Sequence, residues 1–275
     1  MSEDGREKRP TGELFAELVK TVGELRRQCP WDREQTLETL ARYLVEEAYE
    51  ACEAIAGGRP DAVSEELGDL LAQIVFHAVV AEERGLFTLA ELLSQAREKL
   101  IRRHPHVYGA EPLDSAEEVV RQWDAIKREE RKQAGAGSAL GDGAGGLPAV
   151  LRAEKLGRRA RVAGMDWPDL RAVLAKTREE LDEAEAVFAR GELKDADEEL
   201  GDALLALANA PRFLGASAEQ TLRRACDKFV ARFTELERLA DQRRLALNQL
   251  SPRQIEELWQ EAKQRLAANR ARSEP

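Results

Sequence analysis

Cysteine is scarce and unpatterned: Cys29, Cys52 and Cys226 are scattered, with no CxxC pair. That excludes a disulfide framework and a zinc knuckle and fits a reducing compartment. Long apolar runs are missing too, since no stretch approaches roughly eighteen consecutive apolar residues. The opening MSEDGREKRP holds neither an apolar h-region nor a small-residue cleavage site, so a cytoplasmic chain away from membranes is expected. Positive charge is in deficit, 42 Lys and Arg against 52 Asp and Glu, for a formal net charge of -10. Such a field repels polyanions, and duplex nucleic acid is not an expected partner. There is no G-x-x-x-x-G-K-[ST] loop, which excludes a P-loop NTPase, and no Ser-His-Asp constellation.

Strand-like alternation is essentially missing, and apolar residues recur instead at helical spacing, as in Leu14, Leu18, Val22, Leu25 and again in Leu222, Phe229, Phe233, Leu236. Thr88 with Glu91, Ser115 with Glu118, Ser217 with Gln220 and Ser251 with Gln254 each match a capping box. Pro252 sits at a first helical position. The expected chain is all-α, with about ten helices. With 43% apolar residues it has enough for a real core. QAGAGSALGDGAGGLP, residues 133–148, lacks apolar periodicity and reads as a flexible linker. The expected organisation is a unit over 1–132, this linker, and a unit over 149–275.

The two units repeat. Glu46, Glu47, Glu50, Glu66 and Asp69 recur as Glu179, Glu180, Glu183, Glu199 and Asp202, each displaced by 133 positions. Lys99 and Arg103 recur as Lys228 and Arg232, displaced by 129, and Trp123 with Lys127 recurs as Trp259 with Lys263, displaced by 136. An isolated EExxE arises easily in a chain that is 34% charged. Gap-free repetition of EExxE, a spacer and ExxD points to duplication of a helical unit.

Residues three or four apart share a helix face, so Glu47 with Glu50, and Glu66 with Asp69, point together. An antiparallel helix pair joined by GGRPD sets them opposite each other. Crowded like charges beside Leu67, Leu70, Leu71, Ile74, Val75 and Phe76, which the pattern predicts to be buried, need protons or a cation. A solvated face is the ordinary reading of either EExxE alone. The repeat and the apolar flanks favour a hard divalent cation: Mg²⁺ prefers carboxylate oxygens and completes its shell with water and substrate phosphate, and Mn²⁺ can substitute. Zinc fits less well without a spaced His or Cys, and the Glu-x-x-His pattern of a di-iron site is absent.

Bases supply the complement for phosphate. Lys228 with Arg232, and Trp259 with Lys263, are i,i+4 neighbours, so the cations can hold a phosphate tail and the indole can pack on a base or ribose. Core packing of Trp123 and Trp259, and a surface role for the lysines, are the competing readings. His104 and His106 flank Pro105, where a helix ends, and are read as capping or packing residues. His77 is read as a hydrogen-bonded core residue.

EEAYE followed by EELGDLL, with CPWD upstream and RRHPHVYG downstream, resembles MazG of the all-α NTP pyrophosphatase superfamily. GMDW, EELDE, EELGD, DKFVARF and EELWQEAK in the second half resemble it equally. The resemblance implies Mg²⁺-dependent hydrolysis of a nucleoside triphosphate to monophosphate and pyrophosphate. It also implies two tandem MazG-like units with four-helix-bundle sites, completed in a homodimer. By motif position Glu180, Glu183, Glu199 and Asp202 are implied metal ligands, with Glu179 as a water-orienting base and Lys228, Arg232, Trp259 and Lys263 on the nucleotide. In the first half those roles fall to Glu47, Glu50, Glu66 and Asp69, with Glu46 as the flanking acid and Lys99, Arg103, Trp123 and Lys127 as the binding set. Lys176 stands one turn before the second acid cluster where the first half has Tyr43, which offers more positive charge for phosphate and favours the C-terminal half as the main site. Cys226 stands where the resemblance leads one to expect Asn.

Overall fold

The computed structural model describes residues 9–109, 112–133, 135, 137–141 and 145–273. Among these there is no strand, and the chain is all-α. Residues 134, 136 and 142–144, part of the expected linker, lie outside the described set. The chain divides into two compact units, Met1–Val119 and Val120–Pro275. The first contains α1 (Thr11–Gln28), α2 (Pro30–Glu34), α3 (Leu37–Gly57), α4 (Pro60–Glu83), α5 (Leu89–Arg103) and α6 (Pro105–Tyr108). The division falls within α7 (Ala116–Gln133). The second unit continues with α8 (Ala149–Val162), α9 (Leu170–Ala189), α10 (Leu193–Leu207), α11 (Ala218–Gln242) and α12 (Pro252–Ser273). Among the described residues these are twelve α-helices where periodicity suggested about ten helices. The extra ones are the short proline-initiated α2 and α6, too brief to show an apolar period.

Local chemistry sets the boundaries. Thr88 accepts from the Glu91 N–H at 3.1 Å while its own N–H donates to Glu91 Oε2 at 2.7 Å. Ser251 and Gln254 form the same reciprocal box at 3.4 and 3.0 Å. Ser115 and Ser217 accept from the amides of Glu118 and Gln220. Two further caps place the functional helices: Thr36 and Thr39 exchange bonds at the start of α3, and Asp169 Oδ1 accepts from the Ala172 N–H at 2.8 Å at the start of α9. Helix α3 closes on Gly58 at φ 66°, a left-handed cap that favours glycine, and Pro60 opens α4 after a two-residue turn. The starts of α9 and α10 lie 133 residues after those of α3 and α4, so the repeat seen in the acids is also a repeat of architecture.

In the first unit α3 packs on α4, and α1 and α5 also pack on α4. Val22, Leu40, Ala51, Val75, Ala78, Val80 and Ala81 are the fully enclosed apolar residues. The buried Arg26 ties α1 to α4 through Glu83 at 2.7 Å and donates to the carbonyls of Asp32, in the CPWD turn, and Gln35 just after it. In the second unit α9 packs on α10, α11 packs on α12 around Leu236, Leu239, Leu258 and Ala262, and α8 lies against α11.

Burial on α4 is narrower than the sequence pattern suggests. Val75 is enclosed, Leu70 and Phe76 are half-buried, but Leu67, Leu71 and Ile74 are exposed. The hairpin covers only one stripe of α4. Leu200, Leu204 and Leu207 occupy the same register on α10, again displaced by 133, and are exposed too. Among the described residues no helix is long and apolar enough to cross a membrane.

One close approach generates a stability prediction. A Cβ on Gly157 in α8 lies 1.7 Å from Asn209 Oδ1, and Asn209 is buried with its Nδ2 donating to the Leu205 carbonyl at 2.9 Å. Gly157→Ala gains up to about 1 kcal/mol of helix propensity but overpacks this contact at a cost of about 1–3 kcal/mol. The net expectation is a lower thermal midpoint, measured by circular dichroism.

Candidate functional site

The α3–α4 hairpin brings one oxygen each of Glu47, Glu66 and Asp69 within 4.8 Å of one another, and the α9–α10 hairpin does the same for Glu180, Glu199 and Asp202. The two trios are the same three positions 133 residues apart. Carboxylates around a small octahedral cation stand about 3 to 4 Å apart, so minor rotamer adjustment brings either trio to ligand spacing. Glu50 and Glu183, also expected as ligands, lie outside the trios and are exposed, as are Glu46 and Glu179. Their charge still reaches the centre. Burial, then Glu50, Asp69, Glu66 and Glu46, push the Glu47 carboxyl up from its ordinary value. Glu66 is raised by burial and then by Glu50, Glu65 and Asp69. The donor set is all-oxygen and electrostatically unsatisfied, which fits a hard divalent cation.

The second trio differs at one position. Lys176 Nζ lies 2.6 Å from Glu180 Oε1 and 2.7 Å from Glu179 Oε1. This bond holds the Glu180 carboxyl below its ordinary value, even though Glu180 is only 6% exposed. Glu199, without such a partner, is raised by burial and by its neighbours Glu180, Glu183 and Asp202. Lys176 thus serves the acids themselves. In the first unit Tyr43 takes its place, packed edge-on against Trp31 at 5.8 Å with the Arg42 guanidinium 4.4 Å over its ring.

The expected bases of the second unit converge elsewhere. Lys228, Arg232 and Lys263 line a groove of about 1030 Å³ between α11 and α12. Arg224 and Asp227 line it as well. Arg224 went unremarked in the sequence, although the i,i+4 series 224, 228, 232 would have found it. Trp259 is half-buried, 5.4 Å from Phe229, and packs on the Leu236–Leu258 core, so its packing role is realised. Among the described residues no ion pair or hydrogen bond joins Lys228, Arg232 or Lys263 to the acid trio. In the first unit Lys99 is exposed and Arg103 half-buried on α5. Trp123 and Lys127 stand on the part of α7 that belongs to the second compact unit, with the ammonium 3.6 Å over the indole.

The histidines behave as packing residues. His77 Nδ1 lies 2.7 Å from the Gln73 carbonyl and His104 Nδ1 2.6 Å from that of Leu100. Neither enters a trio.

Residues 35–108, which span α3, α4 and α5, match the MazG nucleotide pyrophosphohydrolase domain. Over most of its length the chain is 43% identical to the nucleoside triphosphate pyrophosphohydrolase of Escherichia coli K12, covering 86% of this chain and 90% of that protein. It belongs to the MazG family. The nucleoside triphosphate pyrophosphohydrolase/pyrophosphatase MazG of Thermotoga maritima is 42% identical, with 92% and 96% covered. A crystal structure of a mazG-related protein from the same organism aligns with 41% of this chain and 97% of that one at 28% identity and a TM-score of 0.37. Membership makes this chain an enzyme of the class that hydrolyses phosphoric anhydrides, and the matched segment contains Glu47, Glu66 and Asp69.

The raised carboxyls yield a pH prediction. A carboxyl whose folded value exceeds its unfolded one binds its proton more tightly in the native state, so its contribution to stability is lost as pH rises through the window between the two. For Glu66 that window opens near its ordinary 4.5. In EDTA, Glu66→Gln removes this loss: relative to wild type the variant gains stability from about pH 4.5 upward, read as the difference in thermal midpoint. Millimolar Mn²⁺ raises the wild-type midpoint more than that of the variant, which keeps only the second trio intact.

Proposed function

We propose that the chain hydrolyses nucleoside triphosphates to nucleoside monophosphate and pyrophosphate in a Mg²⁺-dependent reaction, with the second unit as the principal site and a role in clearing unwanted nucleotides from the cytoplasmic pool. The observation that carries this reading is the pairing, within one unit, of the Glu180–Glu199–Asp202 trio with a cation-lined groove on α11 and α12. Magnesium, with manganese as its substitute, would be held by Glu180, Glu199 and Asp202, with Glu183 completing the set. A divalent ion bound there supplies charge neutralisation for the phosphate oxygens and an acidified water. Ligation needs ionised carboxylates, and Lys176 keeps Glu180 ionised where its counterpart Glu47 is pushed towards protonation. That difference favours the second trio over the first.

The remaining steps belong to side chains. Glu179, exposed beside the trio, accepts the proton of the attacking water as the anhydride bond breaks. Lys228, Arg232 and Lys263 bind the departing pyrophosphate through charge-assisted hydrogen bonds. Trp259 with Phe229 offers an aromatic face for the base.

The site is completed by a second copy. The matched exposed stripes Leu67–Leu71–Ile74 and Leu200–Leu204–Leu207 lie on the very helices that carry Glu66, Asp69, Glu199 and Asp202. Two apolar stripes of this kind, one per unit, need covering, and a homodimer covers both. Leu204, 68% exposed, gives the test: Leu204→Glu shifts the chain towards monomer in light scattering and lowers turnover at fixed concentration.

The activity is tested by pyrophosphate release from a panel of ribo- and deoxynucleoside triphosphates. Wild type turns over with Mg²⁺ and not with EDTA. Glu180→Gln and Asp202→Ala each lower kcat/KM by about 100-fold or more with helicity retained, while Glu47→Gln and Asp69→Ala cost less than tenfold. The reverse ranking transfers the principal site to the first unit. Cleavage confined to dUTP or dCTP marks a narrow pyrophosphatase, and no turnover of any nucleotide leaves a helical interaction module as the reading.

A further inference from the structure

A second cavity, of about 410 Å³, lies in the same compact unit between one face of α8 and the end of α10. It shares no lining residue with the α11–α12 groove. Four cations line it: Lys155, Arg158 and Arg161 from α8, and Arg212 from the turn after α10. In a chain of net charge -10 this is a local excess of the opposite sign. Arg161 is shared with Asp124 at 3.6 Å, and Arg212 with Asp166. Lys155 and Arg158 have no ion-pair partner among the described residues. Glu154, the one acid lining the cavity, already accepts from Ser217 Oγ at 3.1 Å. Like charges three residues apart on a helix face repel, and the two acids that pair with Arg161 and Arg212 leave Lys155 and Arg158 uncompensated.

The neighbourhood repeats the same imbalance. Arg131 on α7 is partly buried; burial, then Arg159, lower its proton affinity, with Arg158 and Arg128 adding to the effect. Its Nε is buried without a hydrogen-bond partner. Leu147, Leu151 and Ala208 supply the apolar part of the lining, with Leu147 and Leu151 at the N-terminal end of α8. From Leu151 to Arg158 the helix rises about 10 Å, comparable to the reach from a nucleobase to its outer phosphates. The volume lies within the ordinary range for small-molecule sites. Asn209, which lies against Gly157 where α8 meets the end of α10, is also part of the cavity lining.

We propose that this cavity is a second nucleotide-binding site, in which Lys155, Arg158, Arg161 and Arg212 hold the phosphates and the Leu147–Leu151 wall holds the base. It goes beyond the hydrolytic reading: it needs neither acid trio, neither metal nor turnover, and no residue of the α11–α12 groove.

The test uses the full chain carrying Lys228→Ala and Arg232→Ala, which disables the groove, in EDTA, with ATP as the probe in isothermal calorimetry. ATP still binds this background. Adding Lys155→Ala and Arg158→Ala weakens ATP at least tenfold, whereas Arg158→Lys alone changes it less than threefold. Tripolyphosphate displaces ATP but binds more weakly than ATP, and adenosine alone does not displace it at equal concentration. No ATP binding to the background, or equal affinity with and without Lys155 and Arg158, overturns the proposal. Tripolyphosphate binding as tightly as ATP overturns the assignment of the apolar wall to a base. Loss of ATP binding accompanied by a change of oligomeric state in light scattering shows that the cations face another copy of the chain, and also overturns it. Because hydrolysis is not the readout, these results stand apart from the fate of the proposed activity.

Discussion

The mutual repulsion of carboxylates across a two-helix hairpin is the constraint around which each unit is arranged. Glu47, Glu66 and Asp69 sit within a few ångströms of one another because α3 and α4 are joined by a two-residue turn and share a narrow packed stripe. The cost shows in the direction of the proton affinities: Glu47 and Glu66 are raised in one unit and Glu199 in the other. A fold can relieve such crowding with protons, an internal cation or an external one. Among the described residues no cationic side chain pairs with the first unit's trio. The second uses Lys176, which engages Glu179 and Glu180 and leaves Glu199 raised. Relief is therefore partial, and Glu199 on α10 stays raised by burial and by Glu180, Glu183 and Asp202.

Much of this was legible in the sequence because the signals are local or strictly periodic. EExxE and ExxD at a conserved separation specify which acids meet once the turn length is known, and the structure selects Glu47, Glu66 and Asp69 and their counterparts as the tightest group. Capping residues such as Thr88 and Ser251 placed helix starts correctly because their hydrogen bonds span only three residues. What escaped was non-local. Apolar residues at 67, 71 and 74 look like core in any window, yet no helix of the same unit covers them, and periodicity alone cannot say which neighbour does. Lys176 looked like a base held for phosphate, but two acids one turn away claim its ammonium first. Arg26, isolated in sequence from both Glu83 and the CPWD carbonyls, gave no pattern to read.

Exposed apolar stripes and crowded acids are linked rather than coincidental. Glu66 and Asp69 flank Leu67, and Glu199 and Asp202 flank Leu200, so covering the stripe also withdraws water from the carboxylates. Desolvation strengthens repulsion among the acids and equally strengthens their hold on a cation. Assembly and metal binding on this helix face should therefore reinforce each other: whichever comes first lowers the cost of the second.

The two units diverge most where α10 ends. Helix α4 runs unbroken to Glu83, but its counterpart stops at Leu207 and gives way to a short 3-10 turn over Pro211–Leu214. Between the acids and the bases the second half is four residues shorter, so the displacement falls from 133 to 129. The early stop also leaves Asn209 and Arg212 at a blunt helix end, where Asn209 enters against Gly157 of α8 and Arg212 turns towards the cation-rich face of that helix. The early end of α10 thus sets Ala208, Asn209 and Arg212 beside α8, where they line the cavity shared with Lys155, Arg158 and Arg161.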